Sequence, residues 1–271
     1  MEIRIDLRKS LPENARGYYE RAKKAKAKVA GAKKAIAETR KKIEQLVEEP
    51  AETKITLKKK KAKRWFEKFR WFESSDGFLV IGGRDATSNE VLVKKHLEPN
   101  DLVFHADFHG APFFIVKNPK KKEIPEQTKK EAAITAASYS KAWGGGKGSC
   151  DVYYINPDQV SKTPPAGEYL TKGAFMIYGR KNFLRGVELK VAVGVKLGED
   201  AEVIGGPVEA IAGQTRHYAK LGVGDMKSGE LARRIKDSVM KKASKEDAEK
   251  IKSINLGDIQ YWIPSGKGSL L

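Results

Sequence analysis

A heptad pattern near the N-terminus constrains the fold of this chain more than any other feature. Small or apolar residues recur there at alternating steps of four and three. They are Tyr18, Ala22, Ala25, Val29, Ala32, Ile36, Thr39, Ile43 and Leu46. This spacing is typical of coiled-coil helices. It predicts one helix from about Pro12 to Glu48, which would be about 55 Å long at 1.5 Å per residue.

This helix needs a partner. Ser10 and Glu13 have the spacing of a capping box, which predicts that the helix begins just after Ser10. A single helix of this length cannot bury an apolar stripe by itself. The sequence contains no second segment of matching length and pattern. We therefore expect a coiled-coil partner for the Tyr18–Leu46 stripe from another copy, from another polypeptide or from sequence upstream.

Positive charge is concentrated in the same part of the chain. The 271 residues carry a net charge of +18, and residues 1–64 hold 21 Lys and Arg against 9 Asp and Glu. A basic excess of this kind favours a polyanionic partner, of which nucleic acid is the commonest. The alternative is the Lys-rich surface of a heat-adapted protein.

Cysteine content and hydropathy indicate the cellular compartment in which the protein is expected. The single cysteine, Cys150, excludes an internal disulfide and a cysteine-based zinc site, and fits a reducing compartment. No apolar run approaches the roughly 20 residues that cross a bilayer. The N-terminus lacks the apolar core of a signal peptide. These features predict a cytoplasmic protein that does not enter a membrane.

The remaining sequence predicts an α+β domain, a mixed sheet with flanking helices, preceded by the long coiled-coil helix. Strands are expected at Phe78–Ile81, Leu102–Phe108 and Ile259–Ile263, and a helix at Glu126–Trp143. The predicted organisation is a coiled-coil arm (1–50), a basic linker (51–64), an α+β domain (65–200) and a C-terminal extension of strands and helices (201–271).

The stretch richest in reactive side chains carries His105, Asp107 and His109 at alternate positions, which predicts one strand face. Two imidazoles and a carboxylate are possible ligands of zinc or non-haem iron. Residues two apart on a strand are separated by ~7 Å, which is too wide for three ligands of one ion. We therefore predict no metal and no cofactor, and a polar face that contacts RNA or makes hydrogen bonds.

Other candidate contacts are basic or hydroxyl side chains near glycines or aromatic rings. Gly82 and Gly83 let the chain turn sharply at a strand end, presenting Arg84 and Asp85, which either contact a ligand or form a buried ion pair. Thr87 or Ser88 is expected to cap the helix that follows. The loop around Lys147 lacks the Walker pattern, although its backbone and lysine could hold a nucleic-acid phosphate. The remaining candidates are Lys162, Thr163, Arg180 and Lys181.

Three long strings resemble the RNA-binding (NFACT-R) domain of the NFACT family, which includes a ribosome-associated quality-control factor and bacterial fibronectin-binding-protein-A-like proteins. They are WFEKFRWFESSDGFLVIGGRDATSNEVLVKKHL, DLVFHADFHGAPFFIVKNP and VSKTPPAGEYLTKGAFMIYGRKNFL, within residues 64–197. IDLRKSLPENARGYYERAKKA resembles the second arm of the family's antiparallel coiled coil.

The resemblance implies that the chain binds the large ribosomal subunit and tRNA and supports template-free tailing of stalled nascent chains. Residues 83–85, 105–110 and 161–163 match the family's GGRDA, HADxHG and VSKT strings, and are expected to form or brace the RNA-contacting surface. The N-terminal domain, helix-hairpin-helix segment and first coiled-coil arm of family members are absent here. The chain is therefore expected to be a fragment or a stand-alone form whose partner lies elsewhere.

A binding protein rather than an enzyme is the favoured interpretation, and no catalytic residue is assigned. The alternative is an RNA-processing or RNA-modifying enzyme that uses His105, Asp107 and His109.

Overall fold

The computed structural model describes residues 5–7, 10–48, 64–108, 110–163, 170–198 and 201–271. The chain separates into two compact units, residues 1–61 and 62–271. The helices in chain order are α1 (Leu11–Glu48), α2 (Ala86–His96), α3 (Glu126–Ser138), α4 (Lys141–Gly144), α5 (Val208–Ala212), α6 (Ser228–Lys241), α7 (Lys245–Lys252) and α8 (Leu256–Gln260). The strands are β1 (Arg70–Glu73), β2 (Leu79–Gly82), β3 (Leu102–Ala106), β4 (Phe114–Val116), β5 (Ser149–Ile155), β6 (Val160–Ser161), β7 (Met176–Ile177), β8 (Asn182–Glu188), β9 (Lys190–Leu197), β10 (Ala201–Gly206), β11 (Tyr218–Lys227) and β12 (Lys267–Leu270). This confirms the predicted α+β class and the long N-terminal helix.

Helix α1 begins where the capping pattern places it. The Glu13 carboxylate accepts hydrogen bonds from the Ser10 backbone N–H (2.8 Å) and hydroxyl (2.7 Å). The heptad side chains that are described lie exposed, with Val29 at 55% and Ile36 at 56% exposure. The side chains of Ile43 and Leu46 lie outside the described residues. The coiled-coil partner remains a prediction.

The larger unit contains two main antiparallel sheets. The first has six strands in the order β1-β2-β4-β3-β5-β8, and the second has four in the order β10-β9-β11-β12. One core joins them, because Phe104 and Val152 of the first sheet and Val193 and Leu221 of the second belong to one buried cluster. Alanines of α3 and apolar residues of α6 also belong to this cluster. Packing the two helices there removes their apolar faces from water.

The opposite face of the six-stranded sheet has its own smaller core. Phe69, Ile81, Val103 and Ile115 pack there against Leu92 of α2. The candidate site described below lies on this second face, beside the N-terminal end of α2.

Several element boundaries differ from the sequence prediction. The helix predicted over Glu126–Trp143 is interrupted after Ser138, because Ser140 accepts a hydrogen bond from the Ala142 N–H (3.1 Å) and caps α4. The strand predicted at Ile259–Ile263 is wrong. That segment follows a helix start at Asn255, whose side chain caps α8 by accepting from the Gly257 N–H (2.8 Å).

The sequence predicts a further domain boundary at residue 200, within the larger of the two units. Strand β9, before residue 200, pairs with β10 and β11, which follow it. The boundaries at 50, 64 and 200 therefore remain predictions. The strand pairing of the second sheet crosses the boundary at 200.

Candidate nucleic-acid interface

A cleft of about 480 Å³ opens on the second face of the six-stranded sheet. Its walls come from three separate segments, which are residues 83–89, 110–113 and 171–177. The side chains of Arg70, His105, Tyr139 and Tyr153 complete the lining. Clefts of this size accommodate small organic groups and usually combine apolar surface with a few polar contacts.

The first wall is the beginning of helix α2. Asp85 is its N-cap: the carboxylate accepts from the Ser88 N–H (2.8 Å), and the Ser88 hydroxyl accepts from the Asp85 N–H (2.9 Å). Hydrogen bonds that the Ser88 N–H and hydroxyl donate to this carboxylate hold the pKa of Asp85 below its usual value. The predicted caps Thr87 and Ser88 are therefore too late in the chain. Arg84 and Asp85 are exposed, so the buried ion pair considered from sequence is wrong.

Asn89 fixes the three walls relative to one another. This buried side chain accepts from the Phe113 N–H (2.9 Å) and donates to the Gly173 carbonyl (2.9 Å). A Cβ on Gly83 would lie 2.6 Å from the Asn89 Oδ1. Gly83 has no left-handed backbone, so its role is close approach to α2 rather than the sharp turn expected from sequence. Asn89 is thus a positioning residue for the cleft.

Two arginines at the cleft lie on tyrosine rings. The Arg70 guanidinium is 4.1 Å from the centre of the Tyr139 ring and donates to the Tyr261 carbonyl (3.0 Å). The Arg84 guanidinium is 4.7 Å from the centre of the Tyr261 ring. This guanidinium has no hydrogen-bond or ion-pair partner among the described residues. Guanidinium groups held over aromatic rings keep N–H donors available for an anionic ligand.

The tyrosines are themselves fixed by backbone contacts. The Tyr261 hydroxyl donates to the Phe69 carbonyl (2.8 Å), and the Tyr139 hydroxyl donates to the Trp262 carbonyl (2.8 Å). Burial raises the pKa of Tyr139 to about 12 and also raises that of Tyr261. Both phenols are consequently neutral donors at physiological pH, and they anchor the rings on which the arginines rest.

His105 is held as a neutral ring. Its Nε2 lies 3.0 Å from the Ala111 carbonyl, which can only accept, so Nε2 carries the proton. Nδ1 is then the acceptor for the Tyr153 hydroxyl at 3.2 Å. Burial lowers the pKa of His105 to about 4. Both ring nitrogens are therefore occupied, and the side chain is uncharged at neutral pH.

The strand that was expected to carry His105, Asp107 and His109 is shorter than predicted. Strand β3 ends at Ala106, and Asp107 lies beyond it in a bend with an exposed side chain. The Asp107 N–H donates to the Asp151 carbonyl (2.8 Å), in register with the pairing of β3 and β5. The Phe108 N–H then donates to the Ala106 carbonyl (2.7 Å), and this tight turn ends the strand. His109 lies outside the described residues. The alternation of side chains that the prediction used requires a strand that continues past residue 106.

Two of the other predicted side chains lie at the edge of the cleft. The Lys162 Nζ is 4.9 Å from the centre of the Phe175 ring, which lines the cleft, and donates to the Ala174 carbonyl (3.2 Å). The Lys181 Nζ is 4.4 Å from the centre of the Tyr153 ring. The Lys162 ammonium is also 3.7 Å from the Glu90 carboxylate, so of these two lysines Lys181 is the one that adds positive charge near the opening without an ion-pair partner among the described residues.

Three predicted side chains do not line the cleft. The Lys147 Nζ lies over the Phe108 ring at 5.1 Å. Thr163 donates through its backbone N–H to the Ser161 hydroxyl (3.0 Å), and the Arg180 carbonyl accepts from Gln159 (2.9 Å). As RNA contacts these three residues remain predictions.

Sequence reasoning missed Arg70, Asn89, Lys172 and Tyr261. Lys172 lies in the third string quoted above, and its exposed side chain has no hydrogen-bond or ion-pair partner among the described residues. Arg70 and Tyr261 are 191 positions apart, so no local pattern could have joined them.

Two features are absent from the part of the chain that the structure describes. No three His, Cys, Asp or Glu side chains there are grouped closely enough to hold a metal ion. None of its helices combines the length and the apolar character needed to cross a membrane.

Residues 68–179 match the family model described as NFACT protein RNA binding domain. The chain is 43% identical over 195 residues to the "Ribosome quality control complex subunit NEMF homolog" of Drosophila melanogaster, which covers 70% of this chain and 20% of that protein. It is 38% identical over 186 residues to the "Archaeal Rqc2 homolog aRqcH" of Methanocaldococcus jannaschii, covering 68% of this chain and 27% of that protein. The chain thus spans about a fifth to a quarter of the length of these relatives.

Among solved structures, the C-terminal part of the fibronectin/fibrinogen-binding protein from Streptococcus suis matches 66% of this chain and 77% of that chain. The TM-score is 0.38 and the sequence identity 21%.

Proposed function

We propose that this chain, which carries an NFACT protein RNA binding domain at residues 68–179, binds RNA at the cleft and acts in ribosome quality control. Similarity to ribosome quality control subunits from an animal and an archaeon supports a role in ribosome quality control. The domain match supports RNA binding, and the proposal adds that the cleft is where the RNA is held.

The observation that carries the proposal is the set of cations at the cleft. The side chains of Arg84 and Lys172 have no ion-pair partner among the described residues, and Arg70 lies on Tyr139. Among the described residues that line the cleft, Asp85 is the one carboxylate, and it accepts a hydrogen bond from the Ser88 N–H. A cleft with this excess of positive charge attracts phosphate, while its rings offer surfaces for bases.

The finer proposal concerns the ribosome. We propose that the RNA is large-subunit RNA or tRNA, and that the chain engages large subunits that carry a stalled nascent chain in the cytoplasm. Support for template-free tailing of that nascent chain is part of the same proposal. The exposed stripe of α1 would then pair with a helix of another chain or another copy.

Binding should be tested by fluorescence anisotropy with tRNA and large-subunit RNA at several salt concentrations. Binding is expected to weaken steeply with salt as counterions are released. The double variant Arg84→Gln/Lys172→Gln should bind more weakly. The slope of log K against log salt should decrease in magnitude by about 0.7–0.9 for each phosphate that the variant no longer neutralises.

A matched control removes the same charge from another surface. Arg233 and Lys242 are exposed on or just after α6 and do not line the cleft. Arg233→Gln/Lys242→Gln should retain most of the affinity. If both double variants weaken RNA binding equally, the loss is due to net charge alone, and the proposed role of the cleft is contradicted.

No observation favours the enzymatic alternative. Of its three residues, Asp107 lies beyond the end of strand β3, and His109 lies outside the described residues. His105 has both nitrogens occupied and a pKa of about 4, which is a poor match for proton transfer at neutral pH.

A further inference from the structure

A row of aromatic rings runs across the six-stranded sheet from the cleft to its edge strand. His105 of β3 is directly opposite Tyr153 of β5, and Tyr153 is directly opposite Phe183 of β8. Side chains of directly opposite residues project from the same face of a sheet. The ring centres are 5.6 Å apart for the first pair and 5.7 Å for the second.

The row changes from buried to exposed along its length. Tyr153 is buried at 3% exposure and contributes to the lining of the cleft, whereas Phe183 is 39% exposed. Strand β8 is the last strand of the sheet, so the face beside Phe183 is more open than the cleft. A partly exposed aromatic ring at the edge of a sheet offers a surface on which a base can stack.

Arg185 adds a flat cation to this exposed end. Its guanidinium lies 4.1 Å from the centre of the Phe183 ring and is held by an ion pair with Asp151. Asp151 also accepts from the Gly186 N–H (2.8 Å). The guanidinium plane is thus fixed in place, and 67% of the Arg185 side chain is exposed. A fixed guanidinium plane and a ring are both surfaces on which bases stack.

We propose that the cleft takes one unpaired nucleotide of an RNA strand and that the neighbouring nucleotide stacks at Phe183 and Arg185 on strand β8. The phosphate of the inserted nucleotide would lie near Arg84 and Lys172. This inference rests on the proposed RNA binding and specifies its substrate class as single-stranded RNA.

The cleft suits a single base better than paired RNA. The walls formed by residues 83–89 and 171–177 are tied together by Asn89 and lie against each other at Ala86 and Gly173, so the cleft is closed on that side. What remains is a small space of about 480 Å³ rather than a broad surface. Double-stranded RNA is instead recognised over broad surfaces that follow its minor groove.

The test compares one labelled RNA in two forms, using the full chain. The single-stranded form has about ten nucleotides, within the ~4–16 that single-strand-binding folds cover, and the second form is annealed to its complement. The single strand should bind at least about tenfold more tightly at the same salt concentration. Equal or tighter binding of the duplex would overturn the inference while leaving RNA binding itself intact.

Variants at the edge strand locate the stacking contact. Phe183→Leu should weaken single-strand binding by about fivefold or more, the lower end of a base-stacking contribution, and leave duplex binding unchanged. Arg185→Lys keeps the charge and removes the plane, so it should weaken single-strand binding without changing the salt dependence. Tyr19→Leu, on an 80% exposed ring of α1, is the matched control and should bind normally.

Two further outcomes contradict the inference. Equal weakening of single-strand and duplex binding by Phe183→Leu would indicate a structural role for the ring. A free nucleotide 5′-monophosphate that competes as well as the single strand would indicate a site for free nucleotides rather than a strand. If the unmodified chain binds neither RNA form in a salt-sensitive manner, it is the proposed function that fails.

Discussion

The arm and the α+β unit use apolar residues in opposite ways. In α1, Val29 and Ile36 are more than half exposed, although they lie on a regular stripe. In the α+β unit, Trp143 and Phe104 have no exposed surface. The arm therefore has secondary structure specified by local sequence and an apolar stripe that it does not bury, whereas the α+β unit supplies its own packing. Substitutions in the two regions should differ accordingly.

The largest expected effect is at Trp143, whose buried ring packs near Gly268 and whose Nε1 donates to the Lys267 carbonyl (2.7 Å). Trp143→Ala should lower the free energy of unfolding by about 3–5 kcal/mol, the usual cost of removing a buried aromatic side chain. Urea unfolding followed by fluorescence measures this, because the other tryptophans remain in the unit. Tyr19→Ala in the arm is the comparison and should change it by less than about 0.5 kcal/mol.

The second effect distinguishes the half-buried His105 from the exposed charges of the arm. Its folded pKa of about 4 lies below the usual 6.5, so the unfolded chain takes up a proton first as the pH falls. Stability from this group is complete above about pH 6.5 and is lost between pH 6.5 and 4, by up to about 3 kcal/mol.

His105→Gln keeps a polar side chain and removes the titration. The difference in unfolding free energy between the unmodified chain and the variant should therefore change between pH 7 and pH 4.5. A difference that stays constant with pH would contradict the lowered pKa of His105. Groups such as Asp85 and Asp151, whose pKa values are lowered by hydrogen bonds, are common to both proteins and cancel.

The same contrast explains how much could be predicted from sequence. The start of α1 at Leu11 depends on contacts three residues apart, so the capping pattern was sufficient. Arg84 and His105, which line the cleft, could be selected because they lie in dense local strings. Arg70 was missed because its partner Tyr261 comes from a segment 191 residues later, which was predicted as a strand and is a helix end. The strand predicted through Phe108 ends early because the Phe108 N–H donates back to the Ala106 carbonyl, a local turn that the side-chain pattern does not indicate.

A smaller effect on stability distinguishes two roles of the Asp85 side chain, which are capping α2 and contacting RNA. Asp85→Ala should cost about 1 kcal/mol of stability through loss of the N-cap. Asp85→Asn keeps an acceptor for the Ser88 N–H and should cost a few tenths of that. Since both variants remove a negative charge from the cleft, RNA affinity should stay equal or increase. A large drop in affinity in the stable Asn variant would show that the carboxylate itself contacts RNA.

The smallest effect on the chain alone is expected at Ile36. Ile36→Lys replaces a side chain that is 56% exposed, so the urea unfolding of the α+β unit should not change beyond about 0.5 kcal/mol. Association through the heptad stripe should nevertheless be abolished, because a lysine at a core position of a coiled coil must be desolvated. Light scattering at increasing concentration detects pairing between copies, and binding to a candidate partner helix detects pairing between chains. Glu38→Lys, which places the same residue two positions later and off the stripe, should leave association intact. If both variants associate equally, the stripe is not the contact surface, and the contrast between the arm and the α+β unit has to be explained in another way.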